Sequence, residues 1–492
     1  MARKPWARPA AGLVRAARRG RRPDPPPAVW LLGGTRADAV KLAPLAAALR
    51  RHGHVRPLLV SGGQDRAMFR RSLAASGARP DRDIRLGRRV LGRGVLGRGR
   101  PGTGARLAAR MATTLDRALR RDPPGAVVVR GATPTALHGA LAAFGLRIPV
   151  VHLEAGLRSH DPAASFPDEG HRKVIGQLAG LHLAPTPAAA ANLVLEGIPL
   201  DRVTVVGSTA VDAVRSVATG DPSGADQPGT IPTGAIPTGA VPTGAVPTGA
   251  VPTGAVPTGL EKVGDALYAG RRLVLVTVHR PESRGEPLQR VLGAVHDLLE
   301  AHPDVAVVIP VPSDSDVRKQ VSGALAGHER AVITGPLDHP DLLWVLARCA
   351  LVLSDSGGIQ EEAPEFGVSV LVLRDATERM EAVYAGCAVV VGTDREVILS
   401  RAGQLLSDAR LTGPARARTP HRANPFGDGR AADRAATAIA AMLGFEVPAA
   451  APWSPAAADP LLVPGPGAPW VDVSRADGAR VDGTLLSGRP PA

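Results

Sequence analysis

Short, continuously apolar runs alternate with helical patterns from residue 28 to about residue 443, and this alternation restricts the fold more than any other feature. A run that is apolar at every position is buried on both faces of its sheet, which is typical of parallel strands covered by helices. The alternation therefore predicts an α/β protein with parallel sheets. With 492 residues, the chain has room for two or three domains with hydrophobic cores.

The predicted strands form two series, separated by an interruption in the middle of the chain. The first series comprises residues 28–32, 57–60, 126–130, 149–153 and 203–206. The second comprises residues 273–278, 305–310, 331–334, 350–353, 370–373 and 388–391. Helical patterns lie between the strands, for example at residues 39–50, 135–144 and 287–301.

The interruption contains six tandem copies of (I/V)PTGA at residues 231–259, the last without its final Ala. Proline at every fifth position blocks both helices and sheet ladders, so we expect a low-complexity insertion without a packed core and assign it no chemistry. Residues 1–27 and 446–492 are also rich in proline and alanine, and we expect both to be disordered tails.

A net charge of +14 raises the question of a nucleic-acid partner, so the position of the charge matters. Residues 1–27 carry eight Lys and Arg against one acid, and residues 84–104 carry six Arg and no acid. These two segments supply +7 and +6, which is 13 of the 14 net charges. The remaining body is nearly neutral, so we expect no specific nucleic-acid partner.

Cys349 and Cys387 stand alone in apolar surroundings, which favours a reducing compartment over a disulfide framework. No run of about 18 apolar residues and no signal peptide is evident, so we expect a cytoplasmic protein without a membrane partner. No His, Cys and Asp cluster has the spacing of metal ligands, and we infer no metal.

The first strand ends in a glycine pair, within VWLLGGTRADAVKLAP at residues 29–44. Gly33 and Gly34 allow close approach of a ligand, and the helix that follows presents unpaired N–H groups suited to anions. Arg36 and Lys41 add positive charge there. The G-x-G-x-x-G pattern is incomplete, so a nicotinamide cofactor is not supported, and we expect none.

A second glycine turn follows a later strand, within LVLSDSGGIQEEAPEFG at residues 351–367. A hydroxyl and two glycines at a helix start can hold a phosphate, and a carboxylate one turn later can accept hydrogen bonds from ribose hydroxyls. Arg374 and Arg379 follow the next strand. Ligands of open parallel sheets bind beyond the carboxyl ends of strands, so these residues could converge.

Eight segments in a fixed order resemble the non-hydrolysing UDP-N-acetylglucosamine 2-epimerases, over roughly residues 28–443. They are GTRADAVKLAP (34–44), HLEAGLRSHD (152–161), FPDEGHRKVIGQLAGLHLAPT (166–186), VGSTAVDA (206–213), VTVHRPESRGEP (276–287), SDSGGIQEEAPEFG (354–367), LRDATERMEAV (373–383) and NPFGDGRAADR (424–434). Each segment is modest alone, but their common order is specific.

The resemblance implies a GT-B-like fold, in which two Rossmann-like domains face each other across the active site. It implies a first domain at 28–206, completed by a terminal helix at about 431–443, and a second, UDP-binding domain at 207–430. UDP contacts carry over to Arg36, His279, Ser356, Gly357, Gly358, Glu362 and Arg379. Lys41, Arg172 and Arg374 lie in the same motifs and are predicted to bind the substrate too.

The resemblance also implies the reaction, conversion of UDP-N-acetylglucosamine to UDP-N-acetylmannosamine. The C2–H bond that must be broken is not next to a carbonyl, so a feasible route without a cofactor eliminates UDP across C1–C2 and adds it back. That route needs carboxyl groups as acid and base and cations to hold the departing UDP. The implied catalytic residues are Glu154, Asp168 and His279.

This sequence departs from the family at positions that move protons. The family's three acids fall on Ala132, Glu154 and Asp168, of which Glu154 is unchanged. Asp168 replaces a longer Glu and is followed by Glu169, and Ala132 cannot transfer a proton at all. Loss of a general acid or base typically costs about 10²–10⁴-fold in rate.

Three functions therefore remain open. The first is C2 epimerisation, with full or reduced activity. The second is a UDP-sugar-binding protein with a regulatory or scaffolding role, since the nucleotide-binding positions survive better than the proton-transfer positions. The third is a hydrolase or transferase that uses the same cleft. The resemblance also suggests a homodimer.

Overall fold

The computed structural model describes residues 25–63, 65–86, 103–161, 166–219, 256–312, 314–325, 327–408, 424–448 and 451–454. The predicted basic tail up to residue 24, most of the basic segment at 84–104, the PTGA array up to residue 255 and the tail after residue 454 lie outside these residues.

The first sheet has seven parallel strands in the order β3-β2-β1-β4-β5-β6-β7. The strands are β1 Ala28–Gly33, β2 Arg56–Ser61, β3 Arg82–Asp83, β4 Ala126–Arg130, β5 Val150–Leu153, β6 Leu181–Ala184 and β7 Val203–Val205. The accompanying helices are α1 Arg36–His52, α2 Arg66–Ala75, α3 Thr103–Arg121, α4 Pro134–Gly145, α5 Asp168–Leu178, α6 Pro187–Leu195 and α7 Thr209–Thr219.

The second sheet has six parallel strands in the order β10-β9-β8-β11-β12-β13. The strands are β8 Arg272–Thr277, β9 Val305–Pro310, β10 Ala331–Thr334, β11 Cys349–Ser354, β12 Ser369–Val372 and β13 Ala388–Val390. The helices are α8 Glu261–Tyr268, α9 Glu286–Ala301, α10 Ser315–Leu325, α11 His339–Leu346, α12 Gly357–Glu362, α13 Met380–Tyr384, α14 Arg395–Ser407 and α15 Ala431–Met442.

Both sheets are buried on both faces, as the apolar runs predict. Val29 and Leu31 of β1 pack into one hydrophobic cluster, whereas Trp30 and Leu32 pack into another on the opposite face. Successive side chains of a strand point to opposite faces, so a strand between two helical layers must be apolar throughout. The prediction of an α/β protein with two parallel sheets is confirmed.

Each sheet reverses its strand order once, between β1 and β4 in the first and between β8 and β11 in the second. Such a switch point opens a crevice at the carboxyl ends of the strands, because the neighbouring connections leave in opposite directions. The two predicted glycine turns follow β1 and β11, so both lie at a switch point.

The chain passes between the two halves of the molecule twice. Helix α7 packs with the second sheet through Val211 and Val214, although it directly follows the first sheet. Helix α15 returns to the first sheet through residues such as Ala436 and Ile439. The two crossings touch, because the Ser208 N–H donates to the Phe426 carbonyl at 2.7 Å.

Every predicted strand has a counterpart, but β3 and β6 were not predicted. Strand β3 has only two residues, too few to form a pattern. Strand β6 has four residues, and the buried His182 interrupts its apolar pattern. Helix α1 begins at Arg36, earlier than the predicted residue 39, because Thr35 and Asp38 form a capping box.

Candidate active site

The turn after β1 has no room for a side chain. A Cβ at Gly33 would lie 2.6 Å from the Phe69 ring and 2.8 Å from Asp38, so the first glycine is needed for packing. Arg36, in the first turn of α1, reaches across to the second half of the molecule, where its Nη1 donates to the Leu337 carbonyl at 2.9 Å. The first glycine turn therefore faces the second sheet.

Glu154 lies at the end of β5 and is buried among cations. Its φ of 60° is unusual for a residue with a side chain and turns the carboxylate toward α1. Lys41 Nζ contacts its Oε1, Arg130 Nη1 lies 2.5 Å from its Oε2, and Arg379 Nη2 lies 3.9 Å from Oε1.

Charge pairing determines the protonation state of Glu154. Burial alone would raise its pKa, but Arg130, followed by Lys41 and Arg379, holds the pKa well below the ordinary value. The carboxylate is therefore ionised and occupied by positive partners.

Glu378 is the centre of a second buried cluster. Its carboxylate accepts from Arg379 at 2.6 Å and from Arg374 at 2.7 Å. Arg172 lies 3.3 Å away and Arg280 3.5 Å away. Burial would raise the pKa of Glu378, but these four guanidinium groups lower it well below its ordinary value. Because Arg172 belongs to α5 of the first half, this cluster joins the two halves.

Glu361 links the first cluster to the helix that follows the second glycine turn. Its Oε2 accepts from Lys41 Nζ at 2.8 Å, and its Oε1 accepts from Arg379 Nε at 2.6 Å. Ser208, on the segment between the two sheets, donates to the same carboxylate at 2.5 Å. Lys41 is thus shared between Glu154 of the first half and Glu361 of the second.

The second glycine turn packs directly against an arginine. A Cβ at Gly357 would lie 2.2 Å from Arg379 Nη1, so this glycine makes space for the guanidinium. Next to it, Asp355 is fully buried and lies 2.9 Å from His279 Nδ1. Asp355 Oδ2 also accepts from the His279 and Arg280 N–H groups and from the Ser283 hydroxyl.

The protonation of Asp355 follows from these contacts. Burial would raise its pKa, but His279 and the backbone donors lower it to about 2. Asp355 is therefore ionised and holds the half-exposed His279 ring at the edge of the cleft.

Most predicted site residues converge between the two halves. They are Arg36, Lys41, Glu154, Arg172, His279, Ser356, Gly357, Gly358, Glu362, Arg374 and Arg379. Glu362 is buried and lies 3.2 Å from His339. Their roles toward a ligand stay predictions.

Asp168 differs from the others. It is half-buried at the start of α5, and among the described residues it makes no side-chain hydrogen bond or ion pair. Its neighbour Glu169 is the buried acid, and Glu169 Oε2 accepts from Arg172 at 3.1 Å. The catalytic role of Asp168 stays a prediction.

Sequence reasoning missed two buried charges of the site, Arg130 and Glu378, and it noted Asp355 and Glu361 beside the second glycine turn without assigning them to the site. Arg130 carried a usable signal, because it is the only charged residue at the end of the otherwise apolar strand AVVVR. Glu378 has no comparable signal in the sequence, because its four arginine partners come together only in the folded protein.

Two doubly wound sheets whose glycine turns face each other across a cluster of arginines, a lysine and carboxylates define a class of protein. It is the class of GT-B-like enzymes that bind a nucleotide-linked sugar in the cleft between two domains. Within the part of the chain that the structure describes, His, Cys, Asp and Glu side chains do not cluster in threes as metal ligands would, and the helices lack the length and hydrophobicity of a membrane span.

Comparison with known proteins identifies the family. A sequence model of the UDP-N-acetylglucosamine 2-epimerases matches residues 47–230 and 236–440, and the chain belongs to this family. A probable UDP-N-acetylglucosamine 2-epimerase from Ralstonia nicotianae is 35% identical over 415 residues, which are 84% of this chain and 98% of the relative. The UDP-N-acetylglucosamine 2-epimerase of Salmonella typhimurium is 34% identical, over 82% of this chain and 96% of the relative.

Solved structures confirm the GT-B-like fold. An S. aureus protein solved with UDP is 31% identical and has a TM-score of 0.69, over 85% of this chain and 97% of that one. The Neisseria meningitidis UDP-GlcNAc 2-epimerase, solved with UDP-GlcNAc, is 28% identical with a TM-score of 0.69, over 82% of this chain and 97% of that one. The resemblance inferred from the sequence motifs is therefore confirmed.

Proposed function

We propose that the protein inverts C2 of UDP-N-acetylglucosamine to give UDP-N-acetylmannosamine, by eliminating UDP across C1–C2 and adding it back. The observation that carries this proposal is the cluster of Lys41, Glu154 and Arg379, which lies between the two glycine turns and draws on both halves of the molecule. Relatives that share the fold are solved with UDP and with UDP-GlcNAc.

Cations and glycine turns suit the nucleotide half of the substrate. We assign UDP binding to Arg36, Lys41, Arg172, His279, Ser356, Gly357, Gly358, Glu362, Arg374 and Arg379. Arginine binds a diphosphate through paired N–H donors, and the start of α12 adds backbone N–H groups. These cations stabilise the charge that develops on UDP as the C1–O bond breaks.

The sugar half needs groups that move protons, and we assign these to Glu154, Asp168 and His279. His279 is held by Asp355 through a ring nitrogen, a pairing that orients an imidazole. Glu154 is more constrained, because three cations already occupy it. Since Ala132 lacks a carboxyl group, a reduced epimerase activity is compatible with the site.

A deuterium-exchange experiment tests the proposal. The purified protein is incubated with UDP-GlcNAc in D₂O and followed by NMR. Epimerisation predicts deuterium at C2 together with the appearance of UDP-ManNAc. Release of free UDP and N-acetylmannosamine would instead identify a hydrolase. If the protein shows no deuterium exchange and releases no UDP, epimerisation is ruled out.

A second function is favoured by Ala132 and by the occupied state of Glu154. A UDP-sugar-binding protein with impaired catalysis would keep the nucleotide site and lose proton transfer. Such a protein would bind UDP in a calorimetric titration but would incorporate no deuterium in the D₂O experiment. A transferase would be recognised by a sugar product attached to an added acceptor.

Three further assignments belong with this proposal. We place the protein in the cytoplasm, since Cys349 and Cys387 form no disulfide with each other. We propose a homodimer, for which the exposed apolar side chains of Leu141, Phe144 and Val174 on α4 and α5 offer a surface. Light scattering of the purified chain tests the oligomeric state. We also retain domain boundaries at 28–206 and 207–430, with residues 431–443 joining the first domain.

A further inference from the structure

The turn that follows β4 lies beside Glu154. Strand register pairs Arg130 with Leu153, so the turn at Gly131 and Ala132 runs next to the carboxylate. A Cβ placed on Gly131 would lie 3.6 Å from Glu154 Oε2. Parallel strands end at the same edge of a sheet, so groups held by this turn stand at the opening of the cleft.

Two imidazole rings hold the successive carbonyl groups of this turn. His152 Nε2 lies 2.9 Å from the Gly131 oxygen, and His171 Nδ1 lies 2.7 Å from the Ala132 oxygen. Burial and the neighbouring His182 lower the pKa of His152 to about 3, so His152 is a neutral structural donor. His171 differs because its ring is half-buried rather than enclosed.

The contact with Ala132 determines the tautomer of His171. A carbonyl oxygen only accepts, so Nδ1 carries the hydrogen in this bond and Nε2 keeps a free lone pair in the neutral ring. His171 also lies one helical turn from Asp168, and the next residue, Arg172, reaches Glu378 across the cleft. His171 is thus on the helix that carries Asp168 and Arg172, and its ring contacts the turn that runs beside Glu154.

Two positions beside this turn leave the C2 proton without a free acceptor. Glu154 is paired with Lys41, Arg130 and Arg379, so it needs a partner for proton transfer, and Ala132 has no ionisable group. We infer that His171, through Nε2, is a proton-transfer residue of the C2 chemistry. This inference rests on the proposed epimerisation and adds a residue to its mechanism.

The step can be written with its electrons balanced. Nε2 of His171 takes the C2 proton, the C–H electron pair forms the C1=C2 double bond, and the C1–O bond breaks with its pair on the UDP oxygen. In the return step, the UDP oxygen adds to C1 while the double-bond pair takes a proton at C2 from an acid on the opposite face. The imidazolium then releases its proton to water, and water reprotonates that acid.

The variant His171→Asn separates proton transfer from positioning. An Asn side-chain N–H can replace Nδ1–H toward the Ala132 carbonyl, but Asn has no counterpart of Nε2. The matched control is His138→Asn, since His138 is a partly buried neighbour of His171 whose buried Nδ1 makes no hydrogen bond. Initial rates of epimerisation, deuterium incorporation, UDP affinity and Tm are measured for both variants.

We expect His171→Asn to lower kcat by about 10²–10³-fold, with UDP affinity and Tm close to wild type. We expect His138→Asn to stay within about threefold of the wild-type rate. Wild-type activity in His171→Asn would overturn the inference and leave the epimerase proposal intact. Equal losses of rate, UDP affinity and Tm would also overturn it, because they indicate positioning. A wild-type protein that binds UDP without epimerising UDP-GlcNAc would overturn the proposed function and the inference with it.

Discussion

Replacing Glu378 with Gln removes the charge of a buried carboxylate that four guanidinium groups share. Removing one partner of a buried ion pair typically costs about 3–5 kcal/mol. Arg379 and Arg172 keep Glu361 and Glu169 as partners, so we expect the lower end, ~3 kcal/mol. A loss of 1 kcal/mol lowers Tm by about 2–4 °C in domains of roughly 150–250 residues. The expected decrease in Tm is therefore roughly 6–12 °C.

Differential scanning calorimetry of Glu378→Gln measures this decrease, and Glu282→Gln is the matched control. Glu282 pairs with Arg280 at 3.4 Å, but its side chain is 43% exposed, so its removal should cost less than ~1 kcal/mol. A Tm of Glu378→Gln within about 2 °C of wild type would refute the reasoning.

The pH dependence of the same variant provides a second check. The pKa of Glu378 is lower in the folded protein than its ordinary value of 4.5, so its stabilisation is complete above that pH. The stabilisation is lost as the pH falls from there toward the folded pKa. The difference in stability between wild type and variant should therefore be largest near neutral pH and shrink in acid.

Glu154→Gln should abolish deuterium exchange at C2 while UDP affinity stays within a few-fold, and normal exchange would show that the catalytic assignment is wrong. Asp355→Asn should lower the free energy of unfolding by about 2 kcal/mol at pH 7, and it should lower kcat because it releases His279. The pKa of Asp355 is lowered from 3.8 to about 2, so chemical denaturation should show this difference in stability disappear as the pH falls from 3.8 to 2. Gly156→Ala should prevent stable folding, because φ is 84° and a Cβ would lie 1.9 Å from a backbone oxygen of α6, whereas Gly170→Ala, with no atom within 4 Å, should not lower Tm.

Local patterns predicted the parts of the site that local chemistry determines. The glycine pairs after β1 and β11 mark places where a strand ends, a helix begins and a neighbouring group comes close. Gly357 illustrates this, since its missing side chain is filled by the Arg379 guanidinium. The positions of Arg36 and Lys41 follow from the same turn, because both lie in the first two turns of α1.

The ion-pair partners could not be predicted in the same way. Arg130 and Glu154 are neighbours only because β4 and β5 pair in one register. Glu378 gathers arginines from positions between 172 and 379, and no local period records such a set. Asp168 and Glu169 are adjacent in the sequence, and only one of them can be the buried acid of the site. Which carboxylate points inward depends on how α5 packs in the folded protein, and that acid is Glu169.

The paired crossings between the two halves have a mechanical consequence. A body attached at a single point can swivel in every direction, whereas one attached at two neighbouring points turns mainly about the line that joins them. Ser208 bonds the Phe426 carbonyl, and Asp212 accepts the first N–H groups of α15. Two neighbouring attachments therefore favour rotation about the line that joins them, and such a rotation keeps the facing glycine turns in register. Deleting α15 would remove this guidance as well as part of the core of the first sheet.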